Sequence, residues 1–280
     1  MTSAASTPVW FITGASSGFG LAFARHALDR GYRVVATART PAKLASLVAA
    51  APDRVLALPL DVTEVKQAEA AVAGTLARFG RIDVLFNNAG YGIVGAVEET
   101  PDAEFRAQME TNFFGAVNVT KAVLPSMRRA RRGAIVNISS MGGQMSFGGF
   151  SAYSASKFAL EGLSEALAQE VAPFGIKVLI AEPGAFRTSF AAEAMKFMPP
   201  SEAYREVIGT TRDFAHAMDG TQAGDPAKAA AAIEAALAAD RTPLRLQLGA
   251  DAIDAVRQHS ERLLADLAAW EKTGRAVGFD

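Results

Sequence analysis

The sequence predicts an α/β fold: a doubly wound parallel sheet of about seven strands with helices on both faces, plus a lid segment and a C-terminal helix. Three observations predict it. Short runs rich in Val, Ile and Leu alternate along all 280 residues with longer stretches of helical apolar spacing. A glycine-rich turn joins the first run to the first helical stretch. Half of the residues are hydrophobic, enough to cover a sheet on both faces in one domain spanning residues 1–280.

The elements follow in order. Residues 9–13 are an unbroken apolar run ending at Thr13, the pattern of a strand buried on both sides. Residues 19–30 return to helical spacing. The same alternation gives strands at 33–38, 55–59, 84–87, 134–139, 177–181 and 244–248. The intervening helices fall at 41–50, 64–79, 103–129, 154–172 and 226–239. Strands that alternate with helices in this way form parallel crossovers. Two regions break the rhythm. Residues 188–225 form a long excursion rich in Phe, Met and Pro, which suits a substrate lid. Residues 250–273 place Ile253, Val256, Leu263, Leu264 and Leu267 at amphipathic spacing and read as a terminal helix.

Charge and composition exclude several functions. A formal net charge of −1 provides no basic field for nucleic acid or an anionic membrane. The Arg128, Arg129, Arg131 and Arg132 cluster falls where a helix ends and favours its dipole. The chain has no cysteine, so disulfides, thiolate chemistry and cysteine–zinc sites are absent. His26, His216 and His259 are scattered, and no metal site is expected. Residues 1–8 lack a secretory pattern, and the uncharged stretch 9–24 is interrupted by Gly14, Gly18 and Gly20. A cytoplasmic protein without membrane partners is the expectation.

Two clusters carry chemistry. Thr13-Gly14-Ala15-Ser16-Ser17-Gly18-Phe19-Gly20 lies between the first strand and the first helix. There glycines let a pyrophosphate approach the backbone, and the helix N-terminus offers free N–H groups with a positive dipole end. The second strand ends at Ala38-Arg39, without the acidic residue that would accept hydrogen bonds from ribose hydroxyls. Arg39 suits a 2′-phosphate instead, so NADP(H) is favoured and NAD(H) stays open. The second cluster is Tyr153-Ser154-Ala155-Ser156-Lys157, whose four-residue spacing puts a phenol and an ammonium on one helix face. A nearby cation lowers a phenol's pKa from about 10 toward values useful for proton transfer.

Together with Asn87-Asn88-Ala89-Gly90, Thr111-Asn112-Phe113-Phe114-Gly115, Ser140 and Pro183-Gly184, these motifs stand in unbroken order over residues 8–188. On them the sequence resembles the short-chain dehydrogenase/reductase (SDR) family, which implies a Rossmann-type fold and hydride transfer between a nicotinamide cofactor and a carbonyl or alcohol. The resemblance implies Tyr153 as proton donor and acceptor, and Lys157 as the group that tunes it and holds the nicotinamide ribose. It further implies Ser140 on the substrate oxygen, thirteen positions before the tyrosine, and Asn112 in a water relay. For the cofactor it implies Gly14, Ser16, Ser17, Gly18, Phe19 and Gly20 at the pyrophosphate, and Asp61 and Val62 at the adenine. Asn88, Ala89 and Gly90 would line the adenosine side, with Pro183, Gly184, Phe186 and Thr188 near the nicotinamide.

Met141, Met145, Phe147, Phe150, Phe190, Met195, Phe197 and Met198 belong either to core packing or to a roomy apolar pocket. The second reading makes the substrate a hydrophobic ketone, aldehyde or alcohol. Alternatives in the same family are an NAD-linked alcohol dehydrogenase and a 3-oxoacyl reductase. A non-catalytic nucleotide-sensing regulator is the alternative of another class, which the intact Tyr153, Lys157, Ser140 and Asn112 disfavour. Relatives commonly associate through the helices at 103–129 and 154–172, so a homodimer or homotetramer is expected.

Overall fold

Alternate residues of the first strand point to opposite sides of the central sheet, and each side has its own core. The computed structural model describes residues 7–279; most of the polar start, residues 1–6, lies outside them. In chain order the elements are β1 (Val9–Ile12), α1 (Gly18–Asp29), β2 (Arg33–Ala38), α2 (Ala45–Ala50), β3 (Val55–Pro59), α3 (Val65–Phe79), β4 (Val84–Asn87) and β5 (Gly92–Val94). They continue with α4 (Asp102–Met109), α5 (Gly115–Ala130), β6 (Gly133–Ile138), α6 (Ser151–Val171), β7 (Ile176–Pro183), α7 (Phe190–Glu193) and β8 (Met195–Phe197). The last are α8 (Arg205–Ala217), α9 (Pro226–Ala238), β9 (Arg245–Leu248) and α10 (Ala250–Arg275).

Seven strands make one sheet in the order β3-β2-β1-β4-β6-β7-β9, and every pair is parallel. The order reverses between β1 and β4, the switch point where open α/β sheets leave a crevice at the strand C-termini. On one side Trp10 and Ile12 of β1 pack with Phe23, Phe86 and the α9 residue Ile233. On the other, Val9 and Phe11 meet Val72 of α3, Val119 and Val123 of α5, and Leu167 of α6. That strict alternation is the pleat of a strand covered on both faces.

Three departures from the expected elements have physical causes. The helix read at 103–129 is two helices, interrupted at Glu110–Phe114 by a π-turn that contains Asn112. Such turns keep the apolar period nearly intact, which hides them from pattern reading. The helix read at 154–172 begins at Ser151, so Tyr153 lies within its first turn. The lid region is not irregular: it holds α7, β8 and α8, and β8 pairs with β5 in a small second sheet. Gly92-Ile93-Val94 is too short to stand out as a strand, and only its partner makes it one. No helix among the described residues is long and apolar enough to cross a membrane.

Candidate active site

The C-terminal ends of β1, β2, β4, β6 and β7 open into one cleft of about 1710 Å³ that runs from the end of β2 to the lid. All the residues read from the sequence as site residues line it except Gly20 and Asn112. Gly14 and Gly18 take positive φ angles of 64° and 53°, turning the chain so that Ser16–Gly18 leads into the N-terminus of α1. Gly20 is needed for packing rather than contact. A Cβ there would stand 2.7 Å from Asn88 Nδ2 and 2.9 Å from Ala15 Cα. Asn88 in turn clamps the loop, donating from Nδ2 to the Thr13 carbonyl at 2.8 Å and the Gly14 carbonyl at 3.2 Å.

At the far end of this half, Arg39 is exposed on the rim, and Lys43 faces the same cleft. Arg39 therefore does not stand alone at this rim. Lys43 follows by four residues, and the turn after β2 folds it back toward Ser16, Ser17 and Gly18. Asp61 is partly engaged, since its Oδ1 accepts from Thr63 N at 3.0 Å and Thr63 Oγ1 at 2.8 Å. Phe19 and Phe186 touch each other with ring centroids 5.1 Å apart.

The chemical end is held by α6 and by the turn after β6. Lys157 is buried and donates from Nζ to the Ile138 carbonyl at 2.8 Å. Its Nζ lies 5.7 Å from the Tyr153 ring centroid. Burial pushes the ammonium down to about 8, and the Glu161 carboxylate partly opposes this. The Tyr153 phenol moves up from 10.0 because of burial, and the Ser140 hydroxyl beside it works the other way. The expected cationic lowering of the phenol does not set its direction: desolvation does, opposed by Ser140 alone. Ser140 Oγ also accepts from Gly142 N at 3.0 Å, which fixes the turn that presents it. Ser154 Oγ is buried, borders the cleft and has no hydrogen-bond partner; no pattern in the chain marks it out.

Asn112 closes the π-turn onto the site. Its Nδ2 donates to the Tyr91 carbonyl at 2.9 Å and to Ser156 Oγ at 3.0 Å, while Oδ1 accepts from Tyr91 N at 3.1 Å. Both amide protons are spent, and one lone pair of Oδ1 remains. A Cβ on Gly90 would stand 3.1 Å from that oxygen and 3.8 Å from Lys157 Nζ.

The aromatic and methionine residues divide between the two readings. Met141, Phe147, Phe150, Phe190 and Met195 line the cleft. Met145 and Met198 are core, and Phe197 stacks on His216 with centroids 3.9 Å apart. Helix α8 adds Thr210, Thr211 and Phe214, and Met218 just after it, none of which the sequence singled out. Tyr153 has Phe150 at 6.3 Å and Phe190 at 6.0 Å, centroid to centroid. Gly92 makes this fit possible, because a Cβ would stand 3.2 Å from Phe190 and 3.6 Å from Tyr153.

Residues 188–225 are pinned by acids. Glu99 Oε2 accepts from Arg212 of α8 at 2.6 Å, and its Oε1 accepts from Ser201 N at 2.7 Å. Burial alone would raise the Glu99 carboxyl, but the Ala96 and Ser201 amides and the Arg212 guanidinium hold it at about 2. Lys196 pairs with Glu104, and Tyr204 donates to Glu98 at 2.8 Å. Behind the site, Arg245 Nε bridges Glu161 at 3.0 Å and Glu182 at 3.3 Å. Burial first, and then the Glu161 charge, push Glu182 up to about 7.

The family model for short chain dehydrogenases matches residues 8–198. The chain belongs to the short-chain dehydrogenase family. It is 42% identical over 271 residues to oxidoreductase BOA17 of Botryotinia fuckeliana, covering 96% of this chain and 99% of that one. It is also 42% identical over 247 residues to 3-ketodihydrosphingosine reductase of Bacteroides thetaiotaomicron, covering 85% and 86% of the two chains. A short-chain dehydrogenase from Streptomyces avermitilis superposes with a TM-score of 0.93 at 53% identity, covering 98% of this chain and 100% of that one. Two more distant structures hold nicotinamide cofactors. One is a Burkholderia phymatum short-chain dehydrogenase/reductase with NAD, at TM-score 0.81 and 25% identity, covering 93% and 95%. The other is a Thermococcus sibiricus alcohol dehydrogenase with 5-hydroxy-NADP, at TM-score 0.72 and 26% identity, covering 86% and 96%. As a short-chain dehydrogenase with a seven-stranded Rossmann-type sheet, the protein is an oxidoreductase.

Proposed function

We propose that this short-chain dehydrogenase uses NADP(H) to interconvert a hydrophobic ketone or aldehyde and its alcohol, with Tyr153 as the proton-transfer group. The observation that carries the reading is the position of Tyr153. It lies where a glycine-walled crevice meets an apolar chamber lined by Met141, Phe147, Phe150, Phe190, Met195 and Phe214. The crevice fits a dinucleotide: two positive-φ glycines, an α1 N-terminus without an acidic residue, and a rim bearing Arg39 and Lys43. When bound, the nicotinamide supplies or accepts the hydride.

The chain's own residues do the rest. The Tyr153 hydroxyl gives its proton to the substrate oxygen during reduction and takes one back during oxidation, while Ser140 holds the same oxygen. Lys157 stays mostly protonated at neutral pH, and its positive charge favours the phenolate that proton donation leaves. The relay role of Asn112 rests on the remaining lone pair of Oδ1, beside Gly90 and Lys157. Arg39 and Lys43 would share a 2′-phosphate, which supports NADP(H) over NAD(H). Residues 188–225 act as the lid, excluding water from the chamber. The similarity to a 3-ketodihydrosphingosine reductase accords with a ketone substrate. Exposed Phe158 on α6 and Phe114 beside α5 support these helices as a subunit face.

Fluorescence titration with NADPH and NADH tests the cofactor assignment. NADPH should bind about tenfold or more tightly, and Arg39→Ala with Lys43→Ala should remove that preference. Equal binding of NADH by the wild-type protein overturns the 2′-phosphate reading.

A further inference from the structure

Helix α10 runs 26 residues from Ala250 to Arg275, yet only its first turns rest on the body. Ala252 is buried, while every residue from 260 to 279 is exposed. A helical arm of that length gains nothing from packing, and isolated helices are marginal in water. The exposed side is not polar. Ile253, Val256, Ser260, Leu263, Leu267, Trp270 and Gly274 follow one another at intervals of three and four residues without a break. That is the a/d seam of a helix pair, with Ile253, Ser260, Leu267 and Gly274 at a, and Val256, Leu263 and Trp270 at d. Leu263, Leu267 and Trp270 are 55%, 68% and 69% exposed.

We propose that α10 is a self-association element that pairs antiparallel with α10 of a second copy of this chain. The seam fits itself in one register. When Leu263 faces Leu267 of the second copy, Ser260 faces Trp270, Val256 faces Gly274, and Ile253 faces Val277 just past the helix end. Two leucines then meet at the centre, and the layers beside them set Trp270 against Ser260 and Val256 against Gly274, a large side chain on a small one. In the same register Arg257 lies opposite Glu271 of the second copy, twice by symmetry, and Leu264 packs on its own equivalent. Both charges are otherwise tied only to exposed partners of their own helix, Arg257 to Asp254 and Glu271 to Arg275. Asp266 meets its equivalent near the axis, with Arg262 one turn away on each helix.

A parallel pair is disfavoured. It sets Asp266 against Glu271 on both flanks and brings the two bodies together at the α10 N-termini. A lipid surface fits less well too, because α10 carries five acidic and four basic residues and has no basic belt. This interface is separate from the α5–α6 face and adds a step of association to it.

The chain has no cysteine, so a single engineered thiol reports its own neighbourhood. Leu264→Cys should give a covalent dimer with a short bismaleimide. Gln258→Cys, on the opposite side of the helix, should stay largely uncrosslinked. In sedimentation velocity, Leu263→Asp with Leu267→Asp should weaken one association step by about tenfold or more, because each copy loses buried leucines. NADPH binding should be unchanged. Three results overturn the proposal: equal crosslinking of the two thiols, the same mass distribution in the double variant and the wild type, or association of the wild type with phosphatidylcholine vesicles that the double variant loses at unchanged mass.

Discussion

The ammonium of Lys157 is buried against the Ile138 carbonyl, and that burial holds it at about 8, well below 10.5 in the unfolded chain. Between those two values the unfolded chain binds the extra proton, so stability rises with pH across that window. Below about 8 both states are protonated and the desolvation cost is fully present. Lys157→Met removes this dependence. The melting temperature of the wild type should therefore gain on that of the variant between pH 7.5 and pH 10. A constant difference across the series contradicts the assignment. That Tyr153, Lys157 and Ser140 would share one cleft was legible in the sequence, because it depends on spacing along one helix and on the end of one strand. Lys43 and Ser154 were not legible. What sets them apart in the cleft is the fold of a turn around the first and the absence of a partner for the second, and neither leaves a pattern in the chain.

At the scale of elements, the segment 188–225 is a packed structure held by charge. Strand β8 borrows its ladder from β5, and Arg212 ties α8 to Glu99 through a pair whose side chains are 13% and 3% exposed. Removing the cation leaves a buried carboxylate held only by Ala96 and Ser201, a cost of about 1–3 kcal/mol that falls on the docking of α8. Arg212→Met should raise KM for the carbonyl substrate by about tenfold or more, while the NADPH dissociation constant stays put. A loss confined to kcat with unchanged KM would assign Arg212 elsewhere. Pattern reading found the region but not its elements. β5 and β8 are three residues each, below the length at which periodicity speaks. The π-turn at Asn112 was hidden for the opposite reason: one inserted residue barely disturbs a long helical repeat.

At the scale of the molecule, the fold was the most legible feature. A parallel sheet buried on both faces writes itself as apolar runs separated by helices, and all seven main strands fell where those runs were. The switch between β1 and β4 then places the crevice, and with it nearly every motif. What the sheet does not dictate is the chamber beyond Tyr153, where lid, α8 and the first turns of α10 meet. The most direct test of hydride transfer under Tyr153 control uses NADPH deuterated at the transferable position of the nicotinamide, with a bulky aryl ketone, and mass spectrometry of the alcohol. The wild-type protein should place one deuterium on the carbinol carbon, and Tyr153→Phe should slow its appearance by about 10²-fold or more while still binding NADPH. Unlabelled product from the wild type, or label delivered equally fast by Tyr153→Phe, would contradict it.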